Sequence, residues 1–109
     1  MKLWKLSRAV KFWWQRRTRG FDDSALWNLD QSLAKLIAPR LRAFRGEYTN
    51  KMGGHPAEIP HEEWDKHLGK MIGSFEFYAD GLQYTDLEAW KKHNEGLELF
   101  AKWFGALWD

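Results

Sequence analysis

Apolar side chains recur along this chain at steps of three and four residues, and this spacing restricts its fold more than any other feature. The clearest example consists of Trp64, Leu68, Met71, Ile72 and Phe75. Because an α-helix turns once in about 3.6 residues, these five side chains share one helical face. Similar stripes occur in three other segments, and 109 residues suit a single domain. We therefore predict an all-α fold over residues 1–109, a compact bundle of about four helices.

The first predicted helix covers residues 2–19 and is basic along its whole length. Its apolar stripe consists of Leu3, Leu6, Val10, Trp13 and Trp14, with Trp4 and Phe12 beside it. Seven lysines and arginines accompany these side chains, and the first acidic residue of the chain is Asp22. Gly20 stands where a glycine in the left-handed conformation commonly ends a helix.

The second predicted helix begins at residues 22–24, two aspartates and a serine whose side chains can accept hydrogen bonds from the free amides of a first turn. Its apolar stripe comprises Leu26, Leu29, Leu33, Leu36, Ile37, Leu41 and Phe44. Pro39 predicts a kink or a restart, because proline lacks a backbone donor and clashes with the preceding turn. Gly46 is the predicted end. Residues 46–60 are then a long connection, and such connections often carry function.

The last predicted helix starts at Thr85, whose hydroxyl would form a reciprocal capping box with the carboxylate of Glu88. A seam of positions alternating by three and four residues follows, made of Leu87, Trp90, Asn94, Leu97, Ala101, Phe104 and Trp108. This is a heptad pattern with one polar position, Asn94. Two interpretations fit it: the seam packs inside the bundle, or it forms the interface of a homo-oligomer.

The composition excludes several functional classes. The chain has no cysteine, so disulfides, zinc–thiolate sites and thiol nucleophiles are impossible. No stretch approaches the roughly 20 apolar residues of a membrane span, and we expect a soluble cytoplasmic protein. Eight tryptophans exceed what the core of a small bundle needs, which indicates a binding surface.

Charge is distributed unevenly between the two halves of the chain. Residues 1–50 carry eleven lysines and arginines against four acids, whereas residues 51–109 carry six against eleven. A basic half favours an anionic partner such as a nucleotide, a nucleic acid or a membrane surface. The alternative is that the two halves neutralise each other within the monomer or across an oligomer.

No catalytic or metal motif is present in the sequence. The histidines at 55, 61 and 67 do not have zinc-protease spacing, and we interpret the acids among them as residues that start a helix. There is no glycine-rich phosphate loop and no serine in a nucleophile elbow. We therefore expect a non-enzymatic protein without a metal or a cofactor.

Cations and aromatic rings alternate around the boundary between the first two predicted helices. Arginine binds phosphate through paired N–H groups, and aromatic faces stack on nucleobases. In a nucleotide site the arginines would hold phosphates, the rings would stack on bases, and the aspartates would accept ribose hydroxyls or cap the second helix. The predicted ligand-binding residues are Trp14, Arg16, Arg17, Arg19, Phe21, Asp22, Asp23 and Trp27.

Other interpretations of the same segment remain open. Trp13 and Trp14 could close the core while the arginines lie in water, or tryptophan and arginine together could form a protein interface. Contact with a membrane surface is a third possibility. Tyr48 and Tyr84 are further ring candidates, because a helical stripe does not need them.

Several motifs resemble a family of small uncharacterised proteins encoded by tailed phages and prophages. They are WQRR at 14–17, RGFDDS at 19–24, LWNLD at 26–30, HEEWD at 61–65, KMI at 70–72, FE at 75–76 and EGLELFAKWF at 95–104. Small phage proteins without catalytic motifs often act on host machinery, and one class consists of oligomeric sponges that bind cyclic nucleotides made by bacterial immune systems.

By analogy with that role, the resemblance implies a phage counter-defence protein in the cytoplasm of an infected bacterium. It would be a homo-oligomer that sequesters a cyclic nucleotide as its small-molecule ligand. Two alternatives are a nucleic-acid-binding accessory protein, which uses the basic first helix, and an inhibitor that docks on a host protein.

Overall fold

The computed structural model describes residues 3–81 and 87–108, with side chains from residue 7 onward. Within this part the chain forms four α-helices and no strand: α1, Leu3–Arg19; α2, Leu29–Phe44; α3, His61–Ala79; α4, Leu87–Trp103. The predicted all-α bundle of about four helices is confirmed. The capping box at Thr85 and the ring of Tyr84 lie outside the described residues.

Helix α3 lies at the centre of the bundle and packs against α2 on one side and α4 on the other. Its predicted stripe is confirmed, since all five of its side chains are buried. They form one cluster with three small or medium residues of α2. The buried members of this core are Ala34, Ala38, Leu41, Trp64, Leu68, Met71, Ile72 and Phe75.

The buried face of α2 differs from the one that the spacing of its leucines predicts. Ala34, Ala38 and Leu41 face α3, whereas Leu29 and Leu33 remain 47% and 46% exposed. Leu26 and Leu36 are exposed to a similar extent. The two alanines belong to the same cluster as the large side chains of α3, so small residues on α2 make room for them. The larger apolar stripe is therefore mostly on the surface.

Both ends of α2 also lie away from their predicted positions. Asp22 caps a short 3₁₀ turn at Asp23–Leu26, and the α-helix starts only at Leu29. At the other end the helix continues past Gly46 as a π-helical turn, Arg45–Asn50. The predicted stop at Gly46 is wrong, and the irregular connection is shortened to residues 51–60.

Pro39 lies inside α2, and the helix continues through it without a restart. Its side chain is on the exposed face of the helix. The guanidinium of Arg40 donates a hydrogen bond of 2.8 Å to the carbonyl of Leu36, one turn back. A side-chain donor thus supplements the backbone hydrogen bonds near the proline.

Two bidentate ion pairs join α2 and its π-helical extension to α3. The guanidinium of Arg42 donates to both carboxylate oxygens of Glu76 at 2.7 Å. Arg45 binds Asp65 in the same way at 2.8 and 2.9 Å. These hydrogen bonds hold the pKa of each carboxyl below its ordinary value. They orient the π-helical turn against α3.

Helices α3 and α4 approach each other most closely at Gly96. A Cβ atom at this position would lie 2.4 Å from the carbonyl oxygen of Lys70 and 2.5 Å from the Cβ of Ser74. The hydroxyl of Ser74 donates a hydrogen bond to the carbonyl of His93, and the His93 ring stacks on Phe77 at 4.5 Å. Glycine is thus required at the crossing point.

Helix α1 lies outside this bundle. It packs on the 3₁₀ turn at Asp23–Leu26 and on no other helix of the described chain. The molecule measures 57 × 33 × 20 Å, with a radius of gyration of 17.5 Å. A compact chain of this length would have a radius of about 13 Å. No helix of the described residues is long and apolar enough to cross a bilayer.

Candidate functional site

The N-terminal arm, which we define as α1 together with residues 20–27, contains all of the predicted ligand-binding residues. Its inner face consists of ion pairs between α1 and the turn. Arg16 binds Asp22, and Arg19 binds Asp23 at 2.6 Å. Lys11 lies 3.3 Å from the Asp23 carboxylate, which also accepts a hydrogen bond from the Gln15 amide. The acids therefore neutralise cations of the arm itself.

The protonation of these two carboxyls follows from their donors. Hydrogen bonds from Ser24 and Arg16 hold the pKa of Asp22 below its ordinary value. Hydrogen bonds from Gln15, Arg19 and Lys11 lower the pKa of Asp23 from 3.8 to about 2. Asp22 also caps the 3₁₀ turn by accepting from the Ser24 amide at 2.9 Å. Both acids thus act in folding the arm.

The opposite face of α1 points away from the turn and carries the exposed rings. Trp13 and Trp14 are 53% and 59% exposed, and their ring centroids lie 6.2 Å apart. The guanidinium of Arg17 lies 5.7 Å from the centroid of the Trp13 ring. Arg17 forms no ion pair within the described part of the chain. This face combines apolar rings with an arginine that no carboxylate neutralises.

A third set of contacts lies toward the middle of α1. The guanidinium of Arg8 stands 4.7 Å from the Trp27 ring and 5.2 Å from the Phe12 ring. These two rings meet edge to face at 5.8 Å. Together with Lys11 and Asp23 they line a shallow cleft of about 380 Å³. Arg8 already covers the faces of both rings.

The structure therefore divides the predicted site into three parts. Arg16, Arg19, Phe21 and the two aspartates meet on the inner face, where Arg19 also lies 4.4 Å from the Phe21 ring. Trp14 and Arg17 lie on the outer face of α1. Trp27 belongs to the cleft, which it shares with Asp23 of the inner face. These residues are spread around the surface of the arm and do not converge on one cavity.

A larger cavity lies at the other end of the molecule. We call it the aromatic groove, and it runs between the loop after the π-helical turn and the C-terminal end of α4. Its volume is about 880 Å³, within the usual range of ligand pockets. The residues that line it are Phe44, Tyr48, Met52, Gly54, His55, Pro56, Ala57, Glu58, Trp64, Lys102, Trp103, Gly105, Ala106 and Trp108.

Buried hydrogen bonds hold the wall of the groove in place. Thr49 is fully buried, and its hydroxyl accepts a hydrogen bond of 3.1 Å from the indole of Trp64. The carbonyl of Thr49 accepts from Nε2 of His61 at 2.7 Å, so this nitrogen carries a proton. The Gly54 amide donates to the Tyr48 carbonyl, whose oxygen would lie 2.7 Å from a Cβ at Gly54. The loop thus closes tightly on the π-helical turn.

The groove offers ring faces together with a small number of polar groups. Tyr48 and Phe44 pack against each other at 5.4 Å, and the ammonium of Lys102 lies 5.4 Å from the Trp103 ring. Trp108 is exposed. The buried indole N–H of Trp103 has no hydrogen-bond acceptor among the described residues. One buried N–H group at this edge of the core is therefore left without a hydrogen bond within the described structure.

Sequence reasoning marked Tyr48 as a ring outside any helical stripe, and the structure places it in the groove. The sequence did not identify Lys102, Trp103 or Trp108 as site residues. Both tryptophans look like ordinary members of a helical stripe. The available signals were the surplus of tryptophan near the C-terminus and the long connection before α3. Within the described chain, no three His, Asp or Glu side chains converge as metal ligands would.

The fold and its cavities thus define an all-α protein with an aromatic groove and a projecting basic arm. Comparisons with models of protein families, with curated proteins and with solved structures find no match. The resemblance to tailed-phage proteins therefore stays a prediction.

Proposed function

We propose that this chain is a non-enzymatic binding protein that holds a nucleotide in the aromatic groove. The observation that carries the proposal is the cavity of about 880 Å³ walled by tryptophan, tyrosine and phenylalanine side chains. Base–aromatic stacking contributes ~1–3 kcal/mol for each base. The arm offers exposed rings and cations but only a shallow cleft of about 380 Å³. The groove is the larger of these two concave sites, and small-molecule sites are usually concave.

The polar groups of the groove suit a ligand that carries few charges. Lys102 is the one Lys or Arg among its lining residues, and it could pair with one phosphate. Glu58 could accept from a ribose hydroxyl or a base amino group. The Nδ1 atom of His55 donates to the Pro56 carbonyl at 2.8 Å, which leaves Nε2 as an acceptor. A cyclic nucleotide, with one negative charge per phosphodiester, fits this balance.

The resemblance to small phage proteins supports a biological role for such binding. A phage protein that holds a cyclic nucleotide without turning it over would lower the concentration of an immune signal in the infected bacterium. Sequestration requires affinity and abundance but no catalytic group, which agrees with a sequence that lacks catalytic motifs.

Isothermal titration against cyclic mono- and dinucleotides tests the proposal directly. Trp108→Ala and Lys102→Gln should each weaken binding by roughly ten-fold, because they remove a stacking face and the phosphate partner. The matched controls are Trp14→Ala and Lys92→Gln, which remove an exposed ring and an exposed cation outside the groove. Loss of affinity in Trp14→Ala or Arg17→Ala, with the groove variants unaffected, would move the site to the arm.

A second candidate is contact between the arm and a nucleic acid. It is favoured by one observation: α1 contains no acid, and it exposes Trp13, Trp14 and Arg17 on a face directed away from the bundle. Binding to phosphates releases counterions, so affinity for short DNA or RNA should fall steeply with salt. A ligand in the groove should respond much less to salt. Titration at two salt concentrations therefore separates the two candidates.

A further inference from the structure

The predicted seam follows α4 as Leu87, Trp90, Asn94, Leu97 and Ala101, reaches Phe104 in the 3₁₀ turn Phe104–Ala106, and is mostly uncovered. Trp108 lies beyond that turn and lines the groove instead, so it is not part of this surface. Leu87 is 68% exposed and Phe104 is 63% exposed, and Trp90 and Ala101 are exposed as well. Of the seam residues, Leu97 is partly buried against the bundle core. The other contacts with α3 come from a neighbouring face, where Gly96 meets Lys70 and Phe100 meets Phe75 at 4.8 Å. Helix α4 therefore has one apolar face inside the bundle and a second one outside it.

We infer that this outer face pairs with the same face of a second copy, with the two α4 helices antiparallel. The inference concerns a surface outside the groove and is independent of the proposed function. It rests on the order of side chains along α4, on the charges beside the seam, and on the area that the chain leaves exposed.

The two flanks of the seam differ in whether α3 covers them. On one flank, His93 and Phe100 are occupied by the ring contacts with Phe77 and Phe75 of α3. The other flank carries Lys91 and remains open to solvent. An antiparallel pair places open flank against open flank and brings the two α3 helices together on the other side, whereas a parallel pair would place the open flank of one helix against the blocked flank of the other on both sides.

Antiparallel pairing also matches the sizes of the facing side chains. With the two-fold axis midway between residues 95 and 96, Trp90 faces Ala101 of the second copy, and Leu87 faces Phe104. The central layers combine Asn94 with Leu97. The large Trp90 then lies opposite the small Ala101, a pairing that favours close packing. A parallel pair would instead place the two Trp90 rings in one layer.

The charges beside the seam are self-complementary in the same arrangement. Lys91 of one copy lies beside Glu98 of the other, and the two-fold axis repeats this pair. Both side chains are exposed, and neither forms an ion pair within the described residues of one chain. The free charges of this flank are therefore those that a second copy would neutralise.

The solvent-exposed surface of the chain is large enough to include such an interface. The chain exposes 7841 Å², whereas a monomeric globular protein of 13.0 kDa exposes about 6,300 Å². A standard interface buries about 800 Å² of each partner. The projecting arm accounts for part of the surplus, and the uncovered α4 seam contributes to the rest. The area of a dimer interface is thus available without any change of fold.

Sedimentation over a micromolar concentration series tests the pairing through charge reversal. Lys91→Glu and Glu98→Lys should each weaken the dimer by roughly ten-fold, because each places like charges together twice. An equimolar mixture of the two variants should recover a heterodimer, in which both pairs are opposite again. Lys92→Gln, which changes an exposed lysine at the heptad position farthest from the seam, should not change the dimer. A monomer throughout the series would overturn the inference.

Introduced thiols test the orientation, because the natural chain has no cysteine. Chains with Leu87→Cys and chains with Phe104→Cys should cross-link to each other under mild oxidation if the helices are antiparallel. In a parallel pair these two positions would lie about 25 Å apart, and each variant would cross-link with itself instead. Self-linking of both variants, or a dimer that charge reversal leaves unchanged, would contradict the proposed arrangement.

Discussion

The indole Nε1 of Trp64 donates a hydrogen bond of 3.1 Å to the side-chain oxygen of Thr49, and both side chains are fully buried. This contact joins the π-helical turn after α2 to the first turns of α3. Trp64 also lines the aromatic groove and meets Trp103 edge to face at 5.9 Å. One hydrogen bond therefore links the bundle core to the shape of the cavity.

Thr49→Val should destabilise the protein by about 1–3 kcal/mol, since it keeps the side-chain shape but leaves a buried indole N–H without an acceptor. Urea denaturation measures the change. Thr18→Val is the matched control, because its hydroxyl bonds the Trp14 carbonyl on an exposed face of α1. The control should stay within about 0.5 kcal/mol of wild type. Equal effects of the two substitutions would contradict the role given to Thr49.

Gly96→Ala should destabilise the protein by about 1–3 kcal/mol, although alanine favours helices. The added Cβ would meet the backbone carbonyl of Lys70, which can move only if α3 and α4 separate. Gly46→Ala is the matched control, because a Cβ there meets nothing within 4 Å. Thermal unfolding of both variants gives the comparison. A stable Gly96→Ala variant would mean that α4 packs elsewhere on α3.

Leu41→Ala should cost about 2–5 kcal/mol of stability, as expected for a buried leucine. Leu33→Ala should cost much less, because nearly half of Leu33 is already in water. Both positions belong to one predicted stripe, so the pair tests which face of α2 is buried. Chemical denaturation of the two variants is sufficient. A larger loss for Leu33→Ala would restore the face that the leucine spacing predicts.

The contact between α1 and the 3₁₀ turn should weaken in acid. The pKa of Asp23 is lowered from 3.8 to about 2, so its ionised form is favoured when the arm is folded. The stabilisation is complete above pH 3.8 and is lost as the pH falls through about 2. Carboxyl ¹³C shifts follow the titration, and hydrogen exchange of the Asp23 amide, which donates to Gln15, follows the contact.

Asp23→Asn provides the control for this pH dependence. It should remove the change in amide exchange that wild type shows between about pH 4 and pH 2. The bundle core should remain folded in both proteins, since α1 packs on no other α-helix of the described chain. A carboxyl that titrates at the ordinary value of 3.8 would show that the ion pairs with Lys11 and Arg19 are not formed in solution.

The sequence was sufficient to predict the helical class and the buried face of α3, because every large residue of that stripe is in the core. On the second predicted helix the same reasoning is right for Leu41, Ile37 and Phe44, which lie in or against the core, and wrong for the leucines at 26, 29, 33 and 36, which are exposed. A prediction from residue spacing relies on the large apolar residues. Ala34 and Ala38, in contrast, are buried because they are small enough to fit beside α3. Only the identity of the neighbouring helix distinguishes these two faces.

The candidate site was predictable only in part. The local alternation of arginine and tryptophan was visible in the sequence, but the pairing of Arg16 with Asp22 depends on how the chain turns after Gly20. The aromatic groove brings Tyr48 together with Trp108, which is 60 positions further along the chain. No periodic pattern relates residues so far apart, and the π-helical turn that presents Tyr48 was interpreted as loop.

The isolation of α1 affects how this protein can change over generations. Because no described side chain of α1 belongs to the core of α2, α3 and α4, substitutions on its outer face should carry little penalty in folding. Mutations at Trp13, Trp14 or Arg17 can therefore accumulate and be selected for new partners, while the groove keeps its shape. The arm is free to diversify at a rate that the bundle could not tolerate.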